Sequence, residues 1–546
     1  MSTNSPFKAS RSWVARGDVN AFFGLMLDNV GGMILMAGLL VGFGFPSGFV
    51  LGRMIPGTAV GVLVGDLIFT ALAFRLAART GRPGVTAMPL GLDTPSTFGS
   101  VFLVLVPAFR AGQGRGLDAE GAAREAWFVG IAMILASGAF KLACSLFADR
   151  VRRAIPRAGL LGSLAAIALV LISFLPLIDI AATPIAGMAA LAVILATLTA
   201  RWRLPREVPG ALAAVVVGSL IYYAMHALGI GPGLGGGEMA RPSLALRAVL
   251  PMPAAEWLAW FAGSWREALS FLPVAIPLAL GTVVGGIDCT ESAASVGDEY
   301  STGQVVAVEG FATVVAGLFG GVIQTTPYIG HPAYKAMGAR AGYTLATALF
   351  VGSAGVFGYF DWIFYVLPKP VVFPILIFVG LEITAQSFAA TPTRHYPAVA
   401  LSCVPALAYL AIFALNHVLP EAGPFEHFSP ATQHWIQTVT ILSGGFIVTS
   451  LLWGATLAHL IDGRVRPAFA CLVVAGAFAW FGIIHSPLAS APIVAPGEAI
   501  RQLGQQGRLA ATAGQTPYHW AAAYWGSAAL LLALGAVGRR PWAERK

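Results

Sequence analysis

Apolar stretches recur along the whole chain, at about 20–43, 54–74, 86–108, 126–148, 158–178, 183–200 and 208–229, and again at 270–296, 303–321, 323–338, 341–366, 370–388, 396–417 and 436–459. Two more follow at 467–485 and 518–538. A helix needs about 20 apolar residues to cross a bilayer, so these sixteen segments predict an all-α polytopic membrane protein. The remainder cannot supply a water-soluble surface. Only 11% of the 546 residues are charged, against about 25% in soluble domains. A soluble enzyme is excluded, and a disordered or fibrous chain with it.

Lys and Arg gather at alternate loops: Arg75, Arg79 and Arg82; Arg150, Arg152, Arg153 and Arg157; Arg201, Arg203 and Arg206; Lys335 and Arg340; Arg394; Arg464 and Arg466; and the end from Arg539. By the positive-inside rule, both termini are expected in the cytoplasm and the chain in the cell membrane, multi-pass. The first twenty residues are polar and basic and carry no cleavable-signal pattern. The net charge of +8 does not cluster on a soluble face, so nucleic acid is not an expected partner. Cys144, Cys289, Cys403 and Cys471 stand singly in apolar runs. No spacing predicts a metal site, a cofactor or an enzyme triad.

The first seven segments and the next seven look related. Asn29-Val30-Gly31-Gly32-Met33 echoes Val283-Val284-Gly285-Gly286-Ile287. Thr86 to Pro95 echoes Thr325 to Pro332, and Arg153-Ala154-Ile155-Pro156 echoes Tyr365-Val366-Leu367-Pro368. Seven is odd, so the second set must be inverted in the membrane relative to the first, as in many secondary transporters.

Segments 3 and 10 each hold two prolines with glycine between them, Pro89 and Pro95, and Pro327 and Pro332. Proline removes a backbone donor and blocks helix continuation. Broken backbone survives at membrane depth only where protein or a watery cavity satisfies it. Each segment is therefore expected to hold a short extended piece and then a half-helix, starting at Asp93-Thr94-Pro95 and at Gly330-His331-Pro332. Such starts offer free N–H donors to a polar solute.

In segment 8, Asp288, Glu291 and Ser295 fall at i, i+3 and i+7, on one helical face. Carboxylates inside a membrane span usually face a cavity and mark ion or proton routes. Glu291 could instead be solvated near the cytoplasmic end, although Asp298 and Glu299 already occupy that position. Asp28 and Asn29 suit gating or packing as well as substrate contact. Asp66, Glu309 and Glu382 suit helix–helix contacts, and Lys141 is expected to snorkel to an interface. His226 and His459 read as end-of-helix residues.

These residues in hand, the chain resembles the xanthine/uracil permeases, the nucleobase–cation symporter-2 family, over most of 20–460. The resemblance rests on TESAASVGDEY in segment 8, QTTPYIGHPAYKAMGARAG in segment 10 and PILIFVGLEITAQSF in segment 12; PLGLDTPSTF in segment 3 is similar to a poorly characterised branch. It implies two inverted repeats of seven with short strands in segments 3 and 10. It further implies a core domain (20–148 and 270–366) and a gate domain (149–229 and 367–460), an extracellular linker at 230–269, a tail at 1–19, and two extra helices with a tail at 461–546. A homodimer through the gate domain is also implied. Glu291 matches the family's segment 8 acid, with Asp288 the alternative register, while the segment 10 carboxylate falls on Gly330 or His331.

Together these features predict a secondary transporter, a permease for a planar polar solute such as a purine or pyrimidine, coupled to a proton or sodium. The expected solute contacts are Glu291, Asp288, Tyr328, Ile329, Gly330, His331, Leu92, Asp93 and Thr94, with Glu291 and Asp288 as coupling acids. The alternative is an anion carrier of the sulfate-permease type, against which the acidic face of segment 8 speaks.

Overall fold

The computed structural model describes residues 14–205, 208–230, 254–328, 330–422, 425–488 and 493–537. Arg206, Ile329 and the arginines from Arg539 onward lie outside the described residues.

Each expected segment has its counterpart. In the first half, segment 1 is the helix Gly17–Gly42, segment 2 runs through Ser47–Thr80, and segment 4 is Ala119–Ser145. Segment 5 is Arg157–Ala182, segment 6 Pro184–Thr199 and segment 7 Gly210–Ala227. In the second half, segment 8 is Leu272–Ser295, segment 9 Thr302–Leu318, segment 11 Gly342–Val356, segment 12 Lys369–Ala389 and segment 13 Tyr396–Ala422. Segment 14 is Pro430–Ser443 and Phe446–Ile461, segment 15 Val465–Trp480 and segment 16 Pro517–Val537. Eight helices among the described residues are long and apolar enough to cross a membrane singly, nine if the bent pair in segment 14 is one span. The protein is a multi-pass membrane chain.

Segments 3 and 10 break where their prolines require. Segment 3 passes through strand β1 (Leu90–Leu92) into Thr94–Ser100, Val101–Leu105 and Val106–Gly114. Segment 10 passes through strand β2 (Thr325–Pro327) into the single-turn helix His331–Ala336. The strands pair antiparallel, Leu90 with Pro327, Gly91 with Thr326 and Leu92 with Thr325. Antiparallel pairing of corresponding elements is what two inverted repeats produce when they meet at mid-depth.

Glycine sets how closely the helices approach. Lipid tails are as apolar as leucine, so membrane helices associate through close packing of small residues. A Cβ on Gly138 of segment 4 would lie 2.9 Å from the Gly310 carbonyl of segment 9, and one on Gly310 would lie 3.0 Å from the Gly138 carbonyl. Gly162 and Gly454 crowd Ser402 in the same way, which draws segments 5, 13 and 14 together.

Three features differ from the sequence reading. Residues Ala254–Ser270, expected within the linker, form a helix. It packs Trp257 and Trp260 onto Phe128 of segment 4, with Trp257 Nε1 donating to the Phe128 carbonyl (3.1 Å). Its mixed face of tryptophans and charges hid it from an apolar scan; 231–253 lie outside the described residues. Segment 11 stops at Val356, and a separate short helix, Phe360–Val366, follows. Segment 14 bends by 72° at Gly444 and Gly445. The loop between segments 15 and 16 fills that bend: the His485 N–H donates to the Gly444 carbonyl (2.9 Å), and Gln437 Nε2 donates to the Pro487 carbonyl (2.6 Å).

At the bend, Gly445 has φ +66°, and a Cβ there would sit 2.1 Å from the Ile483 carbonyl. Gly445→Ala is expected to destabilise the detergent-solubilised protein by about 1–3 kcal/mol from backbone strain alone, read as a lower thermal unfolding midpoint. An unchanged midpoint would refute the packing described.

Candidate functional site

The strand crossing lies among segments 1, 2, 4, 8 and 9, and polar side chains from those helices secure its backbone. Asn29 of segment 1 donates Nδ2 to the Leu90 carbonyl (3.2 Å). Asp66 of segment 2 accepts from the Leu90 N–H (2.9 Å). Lys141 of segment 4 donates Nζ to the Thr325 carbonyl (3.0 Å), which also accepts from Thr313 of segment 9 (3.2 Å). A three-residue strand pair has few ladder bonds, so these side chains stand in for the missing neighbours.

Lys141 does not snorkel. Its side chain and that of Glu309 are both 0% exposed, and they pair at 2.8 Å. The Gly138–Gly310 contact brings segments 4 and 9 close enough for this, leaving Lys141 no path to an interface. Asp66 and Glu309 thus serve the strand scaffold.

Asp93 closes the entrance to the long helix of segment 3. Its N–H donates to the Gln324 carbonyl (3.3 Å), its Oδ2 accepts from the Ser96 N–H (2.7 Å), and its carbonyl accepts from the Thr97 N–H (2.8 Å). The helix does begin at Thr94, but Asp93 itself caps two of its free donors. Leu92 packs beneath Gly32 of segment 1, where a Cβ would lie 3.3 Å from it. Tyr328 donates its N–H to the Pro89 carbonyl (2.6 Å), and its buried ring flanks Gly91. Gly330 precedes the segment 10 helix and accepts from the Tyr334 N–H (3.0 Å).

His331 is removed from that group. It is fully buried, with Nδ1 3.2 Å from the Ala87 carbonyl and Nε2 3.1 Å from Asp298 Oδ2. Asp298 also accepts from Lys335 (2.5 Å) and the Thr86 N–H (3.1 Å). Tyr300 and Tyr343 add bonds to the Thr86 and Ala87 carbonyls (2.6 and 2.7 Å). His331 therefore fastens the extended stretch that leads into β1.

Segment 8 presents two faces. Asp288 and Glu291 do share one, and it turns towards segment 5. Asp288 Oδ2 accepts from Ser163 (2.5 Å). Glu291 accepts from Arg152 Nε (2.7 Å) and, through its other oxygen, from Arg157 Nε. The other face meets the strands. Cys289 donates Sγ–H to the Pro327 carbonyl (3.3 Å), and Thr282 bonds Gln324 Oε1 (3.2 Å). A Cβ on Gly285 would meet open space. Sequence reasoning missed Cys289, Thr282 and Gln324; their offset from Asp288 along the helix was the available signal.

Neither a family model nor a curated protein matches this sequence. Among solved structures, the transmembrane domain of BicA, a cyanobacterial bicarbonate transporter, is similar at 15% identity and a TM-score of 0.42, covering 72% of this chain and 97% of that one. SLC26A9 is similar at 13% identity and a TM-score of 0.46, covering 82% of this chain and 65% of that one. The expected place among the xanthine/uracil permeases is corrected accordingly: the structural neighbours are of another kind. The motifs that carried the resemblance also do other work here. The glutamate of TESAASVGDEY is tied to two arginines, and the histidine of the segment 10 motif is tied to Asp298. The arrangement is a mostly helical, multi-pass membrane fold in which one short strand from each half meets the other.

Two predictions follow from the buried charges. Lys141→Met leaves Glu309 without its cation and is expected to cost about 3–5 kcal/mol, whereas adding Glu309→Gln should recover most of the loss; thermal unfolding of both variants checks this. Asp298 lies in the loop between segments 8 and 9. Burial pushes its carboxyl up, but the bonds from His331, Lys335 and Thr86 outweigh that and hold it below its ordinary value. A depressed carboxyl stabilises the fold above its unfolded value of about 3.9 and loses that contribution as pH falls through its folded value. The midpoint gap between wild type and Asp298→Asn should therefore be widest near neutral pH and close in acid.

Proposed function

We propose that the chain is a secondary active transporter of a small anion, bound at the strand crossing and moved together with a coupling cation. The observation that carries this reading is the engagement of the segment 8 acids. Their charge was the argument against an anion, yet Glu291 is neutralised by Arg152 and Arg157, and Asp288 is turned to Ser163. The crossing itself offers backbone groups and the Tyr328 hydroxyl, which has no fixed hydrogen-bond partner. The segment 8 acids, expected to accept from the ring N–H groups of a base, face segment 5 rather than the strands.

In this reading Leu92, Asp93, Thr94, Tyr328, Ile329 and Gly330 line the solute path; Ile329 lies outside the described residues. Residues 20–148 and 270–366 move as a core against a gate formed by 149–229 and 367–460. The Glu291–Arg157 and Asp288–Ser163 contacts join the two and must part when the crossing opens towards the end of segment 8 that carries Glu291. A cytoplasmic position for both termini, residence in the cell membrane and a homodimer belong to the same proposal.

Uptake into proteoliposomes checks it, with radiolabelled bicarbonate, sulfate, chloride, uracil and xanthine offered separately, with and without pH and sodium gradients. Saturable uptake of an anion, and none of either base, is expected. Saturable base uptake with no anion uptake would overturn the reading.

A further inference from the structure

The other carboxylates around the strand crossing each have at least one oxygen engaged. Glu309 is paired with Lys141, Asp66 accepts from the Leu90 N–H, Asp93 from the Ser96 N–H and Asp288 from Ser163, although the second oxygens of Asp66 and Asp288 have no partner. Asp28 of segment 1 is placed differently. It is 7% exposed, and among the described residues no cation stands within ion-pair distance of it. Its Oδ2 lies against Gly91 of β1, 3.3 Å from where a Cβ would be, and the Tyr328 ring flanks the same spot at 3.2 Å. The Tyr328 and Tyr334 hydroxyls are buried with no fixed hydrogen-bond partner. Tyr334 packs on Gly24, one turn before Asp28, and its ring lies 6.4 Å from that of Tyr328.

A carboxylate buried at this depth persists only as the neutral acid or with a cation against it. One carboxylate and one phenol are too few oxygens for a hard metal cation, which takes six or more. A proton needs one. We propose that Asp28 is the coupling residue. It takes a proton from water on one side of the membrane, forming an O–H bond on a carboxylate oxygen, and gives it up to water on the other, with the Tyr328 hydroxyl as its hydrogen-bond partner. The groups that face it are Tyr328 from segment 10, which meets the same Gly91, and Tyr334, which packs on Gly24 and beside Tyr328. Segment 12 contributes apolar Val372 and Phe373 beside Gly31. Because Asp28 touches β1 at its central residue, its charge state bears directly on the strand pair, whereas Asp288 and Glu291 contact segment 5. This inference rests on the transporter reading above.

Two measurements on the full-length reconstituted protein test it. Dicyclohexylcarbodiimide, which reacts with protonated carboxyls in apolar surroundings, should label the peptide containing Asp28, less as pH rises and not at all in Asp28→Asn. Labelling of Glu291 or Asp288 without Asp28 would overturn the proposal. In proteoliposomes, Asp28→Asn should lose anion accumulation driven by a pH gradient but keep anion counterflow, which also reports that the variant is folded. Accumulation equal to wild type, or accumulation driven by sodium alone in both proteins, would overturn it. Loss of both accumulation and counterflow in a variant that still unfolds at the wild-type temperature would overturn it as well, by making Asp28 a substrate ligand. Absence of anion uptake by wild type, with pH-dependent labelling of Asp28 intact, would instead count against the anion reading and leave the proton site standing.

Discussion

Three residues of strand from each half meet inside the membrane, and everything around them answers the need to satisfy their backbone. Water is not available there to take up a stray N–H or C=O. Asn29 and Asp66 take the two backbone groups of Leu90, while Lys141 and Thr313 converge on the Thr325 carbonyl. Lys141 in turn requires Glu309, and that pair requires the close glycine crossing of segments 4 and 9. The scaffold is thus a chain of obligations that begins with two short extended pieces. Much of the buried charge belongs to it.

The same economy separates structural polarity from functional polarity. Charges with a complete set of partners hold the fold: Lys141 with Glu309, Asp298 with His331 and Lys335, and Glu291 with its two arginines. Groups left incomplete near the crossing include the Tyr328 and Tyr334 hydroxyls, Asn29 Oδ1, Asp66 Oδ2 and Gln324 Nε2. An incomplete buried polar group is costly to keep. Its position against the paired strands, where the backbone of both repeats is extended, is a reason to keep it.

Local chemistry was legible in the sequence; distant pairing was not. The breaks in segments 3 and 10, the starts at Thr94 and His331, and the shared face of Asp288 and Glu291 all follow from residues within one turn or two. What that face looks at depends on how segments 5 and 8 cross, and nothing near Glu291 announces Arg152 or Arg157. Lys141 misled for the same reason: near the end of its own helix it reads as a residue bound for the interface, and only Glu309, 168 positions later by number, makes burial tolerable. The helix Ala254–Ser270 escaped because tryptophans and charges share its turns. The Gly444-Gly445 pair was a local signal in plain view, and it does mark a bend.

That bend ties the order of synthesis to the completion of the fold. Segment 14 leaves the Gly444 carbonyl without a helical partner, and the group that takes it, the N–H of His485, lies beyond segment 15. His485 is held there by stacking on Trp520 at 4.0 Å and by the Tyr524 hydroxyl at 2.6 Å, both from segment 16. A growing chain that has inserted segment 14 therefore still lacks the group that satisfies its bend, until His485 emerges and segment 16 packs against it.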